Sequence, residues 1–268
     1  MEFTTLKFEE PDPGIGIVTL NRPDRLNAMT LKMLEELYAL FHDLGKRKEV
    51  RVLIITGAGR GFCSGADTKD EFPTTEEGLG LFSSASAHLE GGQKIYSGVI
   101  VEMRRLAQPI IAAVNGPAAG GGMCMALASD IIIAGPGATF TPSFINIGLS
   151  GGELGTTYFL PRMIGYARAS EILLTGRTVD AGEADKIGLV SRLVEEEKLI
   201  GTAMETARTL LSKSPLGLRL TKEALKYNLD ASSLEAAIEL ENRNQSILCC
   251  APEFLERFDA FMKKRRHS

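Results

Sequence analysis

Apolar positions along this chain recur with two different periods, and each change of period marks a new element. Ile15 to Leu20 is a short apolar run that reads as a strand. Leu31, Leu34, Leu37, Tyr38, Phe41 and Leu44 then repeat at helical spacing, with Gly45 as a stop. Arg51–Thr56 is a second buried-strand pattern. Residues 68–92 are polar, glycine-containing and weakly periodic, the profile of a mobile loop with some helix. The pattern then predicts a helix over about 93–106, a strand over 109–114, a glycine turn, a helix from about 121 and a strand over 130–134. Strands alternating with helices indicate an α/β arrangement.

From about residue 196 onward only helical patterns remain, so the chain is expected to divide into 1–195 and 196–268. Ser214-Pro215 is a good helix entry, with Ser as cap and Pro in the first turn. Ser232 or Ser233 can cap the next helix, which carries Leu234, Ala237 and Ile238 on one face. After Pro252, Phe254, Phe258, Phe261 and Met262 form an apolar stripe, read as core.

Composition narrows the classes. The 268 residues are 44% hydrophobic and 24% charged, as in an ordinary soluble globular protein long enough for a sizeable core. A formal charge of −4 argues against nucleic acid, and the basic Lys263-Lys-Arg-Arg266 reads as a solvated tail. Cys63, Cys124, Cys249 and Cys250 lack the spacing of a zinc site or a disulfide framework, so no metal is expected. The acidic N-terminal stretch lacks a secretory pattern, and no apolar run is long enough to span a membrane. The expected setting is the cytoplasm.

The candidate chemistry lies in two glycine-rich turns, each behind an apolar strand pattern. One is Gly57-Ala-Gly-Arg-Gly-Phe-Cys-Ser-Gly-Ala-Asp67; the other follows Pro109-Ile-Ile-Ala-Ala-Val-Asn-Gly116 and contains Gly120-Gly-Gly122 at a helix start. Glycine lets a backbone approach a ligand closely, and a helix N-terminus offers unpaired N–H groups. Each turn can therefore supply one N–H to an oxygen that becomes anionic. A dinucleotide fingerprint is the competing reading of Gly57-Ala-Gly-Arg-Gly61, but the third glycine is missing at the required spacing.

Together these segments resemble the enoyl-CoA hydratase/isomerase (crotonase) superfamily. The resemblance rests on Asn21-Arg-Pro-Asp-Arg-Leu-Asn-Ala28, Gly61-Phe-Cys-Ser-Gly-Ala-Asp67, Ile110-Ile-Ala-Ala-Val-Asn-Gly116 and Gly120-Gly-Gly122. Leu160-Pro-Arg162, Leu174-Thr-Gly176 and Ala184-Asp-Lys-Ile-Gly-Leu-Val190 follow in family order. It implies an α/β crotonase-like spiral of ββα units with a C-terminal helical trimerisation region, in a homotrimer or homohexamer. It also implies an acyl-CoA substrate, with coenzyme A as part of the substrate and no permanently bound cofactor. By the same resemblance, the backbone N–H groups of Ala66 and Gly121 bind the thioester oxygen. Leu26, Ala28, Ala66 and Asp67 contact coenzyme A mainly through backbone, with Arg25 and Lys69 as cationic partners of the phosphates. Phe144 joins Gly121 on the acyl side.

This chain departs from the hydratase pattern at two positions. The family's hydratases use two glutamates to hold a water, and these fall here at Cys124 and Phe144. Glu153, counted back from Leu160-Pro-Arg162, coincides with an acid that several family isomerases use. The expected reaction is therefore double-bond isomerisation with Glu153 as the single acid/base. The alternatives are hydration by Glu153 with an unidentified helper and an acyl-CoA-binding protein that has lost activity. His88 is a weaker candidate in the pocket-bordering loop, His42 and His267 look structural or solvent-facing, and Cys124 reads as a small buried hydrophobe.

Overall fold

The computed structural model describes residues 3–69, 80 and 83–266. Residues 70–79, 81 and 82 of the polar loop read between 68 and 92, His267 and the side chains of the basic run beyond Lys263 lie outside the described residues. The chain divides into two compact units, Met1–Arg208 and Thr209–Ser268.

The first unit begins with strands β1 (Leu6–Asp12) and β2 (Ile15–Leu20), helix α1 (Leu31–Leu44) and strand β3 (Val52–Gly57). A short helix α2 (Ala85–His88) runs through a π-helical turn (Leu89–Gln93) into α3 (Lys94–Arg105). Next come β4 (Ile110–Val114), β5 (Pro117–Ala119), α4 (Gly121–Ala128), β6 (Ile131–Ala134) and β7 (Thr139–Thr141). Helices α5 (Thr156–Ile164) and α6 (Tyr166–Thr175), strand β8 (Val179–Asp180), helix α7 (Ala181–Lys186), strand β9 (Arg192–Leu193) and helix α8 (Leu199–Leu211), whose last three residues belong to the second unit, complete the series.

Strands β1-β2-β3-β4-β6-β9 form one sheet, and β5-β7-β8 form a second. The pairs from β2 to β9 are parallel, while β1 runs antiparallel on the edge. Every residue of β3 and β4 is buried, as parallel strands covered on both faces require. Helix α1 is capped by Thr30, whose hydroxyl accepts from the Met33 N–H at 3.1 Å. Its buried Met33, Leu34, Leu37, Leu40, Phe41 and Leu44 join the core, and Gly45 ends it as the pattern predicts.

Strand β1 escaped the hydrophobic pattern because its charged residues alternate on an exposed edge. Its start is anchored by Glu36, which is 6% exposed and lies on the otherwise apolar face of α1. Glu36 accepts from the backbone N–H groups of Thr4 and Thr5 and from both hydroxyls, at 2.6–3.0 Å. Burial pushes its pKa up, but these hydrogen bonds outweigh burial and hold it below the ordinary 4.5. The resulting stabilisation is full above pH 4.5 and disappears as the pH falls through the lowered folded value. Glu36→Gln is expected to cost about 1–3 kcal/mol at neutral pH and less in acid, as measured by urea unfolding at pH 7 and pH 3. An equal loss at both pH values would refute the anchor.

The second unit carries helices α9 (Pro215–Asn228), α10 (Leu234–Cys249) and α11 (Pro252–Arg266). The Ser214 hydroxyl caps α9 by accepting from Gly217 N–H at 3.2 Å, and Ser233 caps α10 through Ala236 N–H at 3.2 Å. Asn244 is buried and donates to the Leu220 carbonyl at 3.3 Å, joining α9 to α10. The stripe after Pro252 is not core in the single chain. Phe254 and Phe258 stack on each other yet remain 39% and 48% exposed.

Candidate active site

The two glycine-rich turns meet. Residues 58–69, directly after β3, form no helix, which removes the structural context of a dinucleotide fingerprint; instead Cys63 forms an isolated parallel bridge with Ala118 of β5. Cys63 N–H donates to the Pro117 carbonyl at 3.0 Å, and Ala119 N–H donates to the Cys63 carbonyl at 2.9 Å. The approach depends on glycine at two positions. A β-carbon on Gly122 would stand 2.0 Å from the Cys63 carbonyl oxygen. Gly65 has φ of +90°, and a β-carbon there would lie 2.9 Å from the Ala119 oxygen and 3.4 Å from the Gly121 nitrogen.

A second parallel bridge joins Ala66 to Met29. It uses Met29 N–H to Gly65 oxygen at 2.7 Å and Asp67 N–H to Met29 oxygen at 2.9 Å, the groups flanking Ala66. The N–H of Ala66 itself faces the other way. Gly121 opens α4, where a first-turn N–H has no intrahelical acceptor. Among the described residues neither the Ala66 nor the Gly121 N–H has a hydrogen-bond partner. Two unspent main-chain donors thus sit on turns that touch, one of them at a helix N-terminus.

The segment 21–28 is locked beside them. Leu26 and Asn27 have φ of +48° and +55°, costly for a leucine and more readily adopted by an asparagine. Asn27 is buried and stabilises this geometry by donating to Ala58 and Gly61 oxygens at 3.0 and 2.8 Å and accepting from Arg22 N–H at 2.9 Å. Asn115 grips the same loop from the other side, donating to Gly57 and Gly59 oxygens at 3.0 and 2.9 Å.

The Leu26 N–H donates to Pro23 oxygen and the Ala28 N–H to Arg25 oxygen, so both are spent within the chain. The Asp67 side chain is buried and pairs with Arg22 at 2.8 Å, while Arg22 also donates to the Ala28 carbonyl at 2.6 Å. Sequence reading passed over Arg22, because nothing in the spacing separates it from Arg25. Arg25 is half-buried and Lys69 is exposed, with its N–H on the Asp67 carboxylate at 3.0 Å.

Glu153 lies three residues ahead of α5, on a turn that reaches α4. The next residue, Leu154, places Cδ1 3.6 Å from where a Gly121 β-carbon would stand. Thr156 is fully buried and fixes the turn: its hydroxyl accepts from Glu153 N–H at 3.0 Å and donates to Gly151 oxygen at 2.8 Å. Its own N–H donates to the Glu153 carbonyl at 2.9 Å. The Cys124 thiol lies 3.7 Å from that same oxygen. The half-buried Glu153 carboxylate accepts from Gln93 Nε2, a contact that sequence reading missed.

Cys124 is completely buried, and burial together with the nearby Glu153 charge pushes its thiol pKa strongly up. It is a neutral thiol at physiological pH, as the hydrophobe reading implies. Burial likewise pushes the Cys63 thiol up to about 12. Phe144 is partly buried with Cε1 3.5 Å from where a Gly120 β-carbon would stand, so the ring borders the glycine turn. His88 ends α2 and is half-buried, whereas His42 stacks on Tyr38 along α1.

The enoyl-CoA hydratase/isomerase family model matches residues 10–268 of this chain. The chain belongs to the enoyl-CoA hydratase/isomerase family. A probable enoyl-CoA hydratase from Mycobacterium leprae is 45% identical over 236 residues, covering 88% of this chain and 79% of that relative. The crystal structure of a probable enoyl-CoA hydratase/isomerase from Mycobacterium abscessus has a TM-score of 0.88 at 39% identity, covering 98% of this chain and 97% of the other. A monofunctional enoyl-CoA isomerase from M. smegmatis has a TM-score of 0.72 at 42% identity, covering 87% of this chain and 98% of the other. The fold is therefore crotonase-like, and the protein is an enzyme of this family acting on coenzyme A thioesters. Among the described residues no helix is long and apolar enough to cross a membrane.

Proposed function

We propose that this chain moves the double bond of an enoyl-CoA thioester, with Glu153 as its single acid/base. The observation that carries this reading is the pairing of two unspent amides, on Ala66 and Gly121, with one carboxylate on the adjoining turn. The positions where the family's hydratases hold a water carry instead a buried neutral thiol, Cys124, and a phenyl ring, Phe144. Neither can activate water, while a lone carboxylate suffices for isomerisation.

In the proposed cycle, the thioester oxygen of a 3-enoyl-CoA sits against the N–H groups of Ala66 and Gly121. The Glu153 carboxylate removes a proton from C2, and the released electron pair delocalises onto the thioester oxygen through C1 on one side and through C3=C4 onto C4 on the other. The two amides stabilise that dienolate; losing one such donor typically costs about 3 kcal/mol. Glu153, now protonated, returns the proton to C4, and the double bond ends between C2 and C3. One proton leaves carbon and one returns, so no water is consumed. The coenzyme A portion lies along Arg25, Leu26, Ala28, Ala66, Asp67 and Lys69, and the acyl chain passes Gly121 and Phe144. The same reading takes the chain as a homotrimer or homohexamer, supported by exposed apolar side chains on its terminal helices, such as Leu225, Leu234 and Leu255.

Turnover of 3-enoyl-CoA thioesters in heavy-oxygen water tests the reaction type. The expected product is the 2-enoyl thioester without label. Labelled 3-hydroxyacyl thioester forming from a 2-enoyl substrate at an equal or higher rate would overturn isomerisation in favour of hydration.

A further inference from the structure

We propose that Gln93 is a positioning residue that aims the Glu153 carboxylate; this rests on the acid/base role argued above. Gln93 closes the π-helical turn Leu89–Gln93, and its Nε2 donates to Glu153 Oε1 across a sequence separation of 60 residues. A π turn changes the phase of the side chains that follow it, and such turns occur often at functional sites. The neighbouring cation does not take this place: Lys94 is exposed and pairs with Glu90 at 2.6 Å. The group presented to Glu153 is thus a neutral amide.

That choice suits a carboxyl group that must alternate between two protonation states. An ammonium or guanidinium partner would favour the anion and make it a weak base. An amide N–H can donate to Oε1 whether Glu153 is a carboxylate or a carboxylic acid. With Oε1 held in both states, Oε2 is left to carry the proton between C2 and C4. The backbone of Glu153 is fixed separately by Thr156. Gln93 therefore governs the remaining freedom, the side-chain torsions that set where Oε2 points.

The test compares Gln93→Met, near in size but without a donor, with Gln93→His, which restores one, on a 3-enoyl-CoA thioester. Gln93→Met is expected to lower kcat by about 10- to 100-fold with KM within about twofold, and Gln93→His to recover part of the loss. Wild-type kcat in Gln93→Met, or a loss that falls on KM alone, would overturn the inference. So would a loss that the donor of Gln93→His does not relieve. If Gln93→Met does not fold, Gln93→Asn reads the same contact: a retracted amide must lower kcat and leave KM unchanged, and a wild-type kcat again overturns it. Glu153→Gln separates the two levels. An active Glu153→Gln removes the acid/base reading itself, whereas an inactive Glu153→Gln beside a fully active Gln93→Met removes only the positioning role.

Discussion

Glu153→Gln is expected to reduce turnover of a 3-enoyl-CoA thioester by about 10³-fold while leaving acyl-CoA binding and the melting temperature close to wild type. The substitution is nearly isosteric. The turn is held by Thr156 and the Glu153 main chain, and a glutamine at 153 still offers an oxygen to Gln93 Nε2, so the local fold has no reason to change. What disappears is the basic carboxylate oxygen that takes the C2 proton in the proposed mechanism. Steady-state kinetics with calorimetric titration of a non-reactive acyl-CoA separate binding from turnover. Turnover within tenfold of wild type would eliminate Glu153 as the acid/base. A wild type that binds acyl-CoA but converts no enoyl thioester would favour a binding protein instead.

Gly122→Ala is expected to destabilise the protein by about 3 kcal/mol and to abolish turnover in whatever fraction remains folded. The new methyl would stand 2.0 Å from the Cys63 carbonyl oxygen and 2.7 Å from its β-carbon. That carbonyl is fixed by its hydrogen bond from Ala119 N–H, so relief requires opening the bridge between Cys63 and Ala118. Opening it moves Gly65–Ala66 away from Gly121, so the two amides could no longer serve one oxygen in the way proposed. Urea unfolding, together with activity normalised to folded protein, checks both halves. A stable, fully active variant would mean that the contact between the turns is not what aligns them.

Elements with a clean hydrophobic period were legible in the sequence. Strand β2 spans the residues read from its apolar run, and α1, β3, β4, α4 and β6 lie within a residue or two of their readings. The exceptions have physical causes. Edge strand β1 carries charge, and β5 has only three residues and no period to detect. The terminal Phe stripe has helical spacing, but periodicity cannot report whether anything covers a face. At the site, glycine spacing pointed to the two turns, because close backbone approach leaves a compositional trace. Gln93 left none: it acts through a hydrogen bond across 60 residues, and such a contact has no signature in a single sequence; Arg22 and Thr156 act through several contacts each, which their residue types alone do not announce.

The two unspent amides belong to the main chain: that of Ala66 takes its direction from the one-residue bridge to Met29, and that of Gly121 from its place at the start of α4. Side chains around them can be exchanged without re-aiming either donor, provided the glycines that let the turns touch remain. On the proposed mechanism, reaction type is then decided separately, by where an acidic group is mounted on the surrounding helices and turns. If the two amides activate the thioester as proposed, a scaffold divided in this way can acquire a new reaction by relocating a single carboxylate.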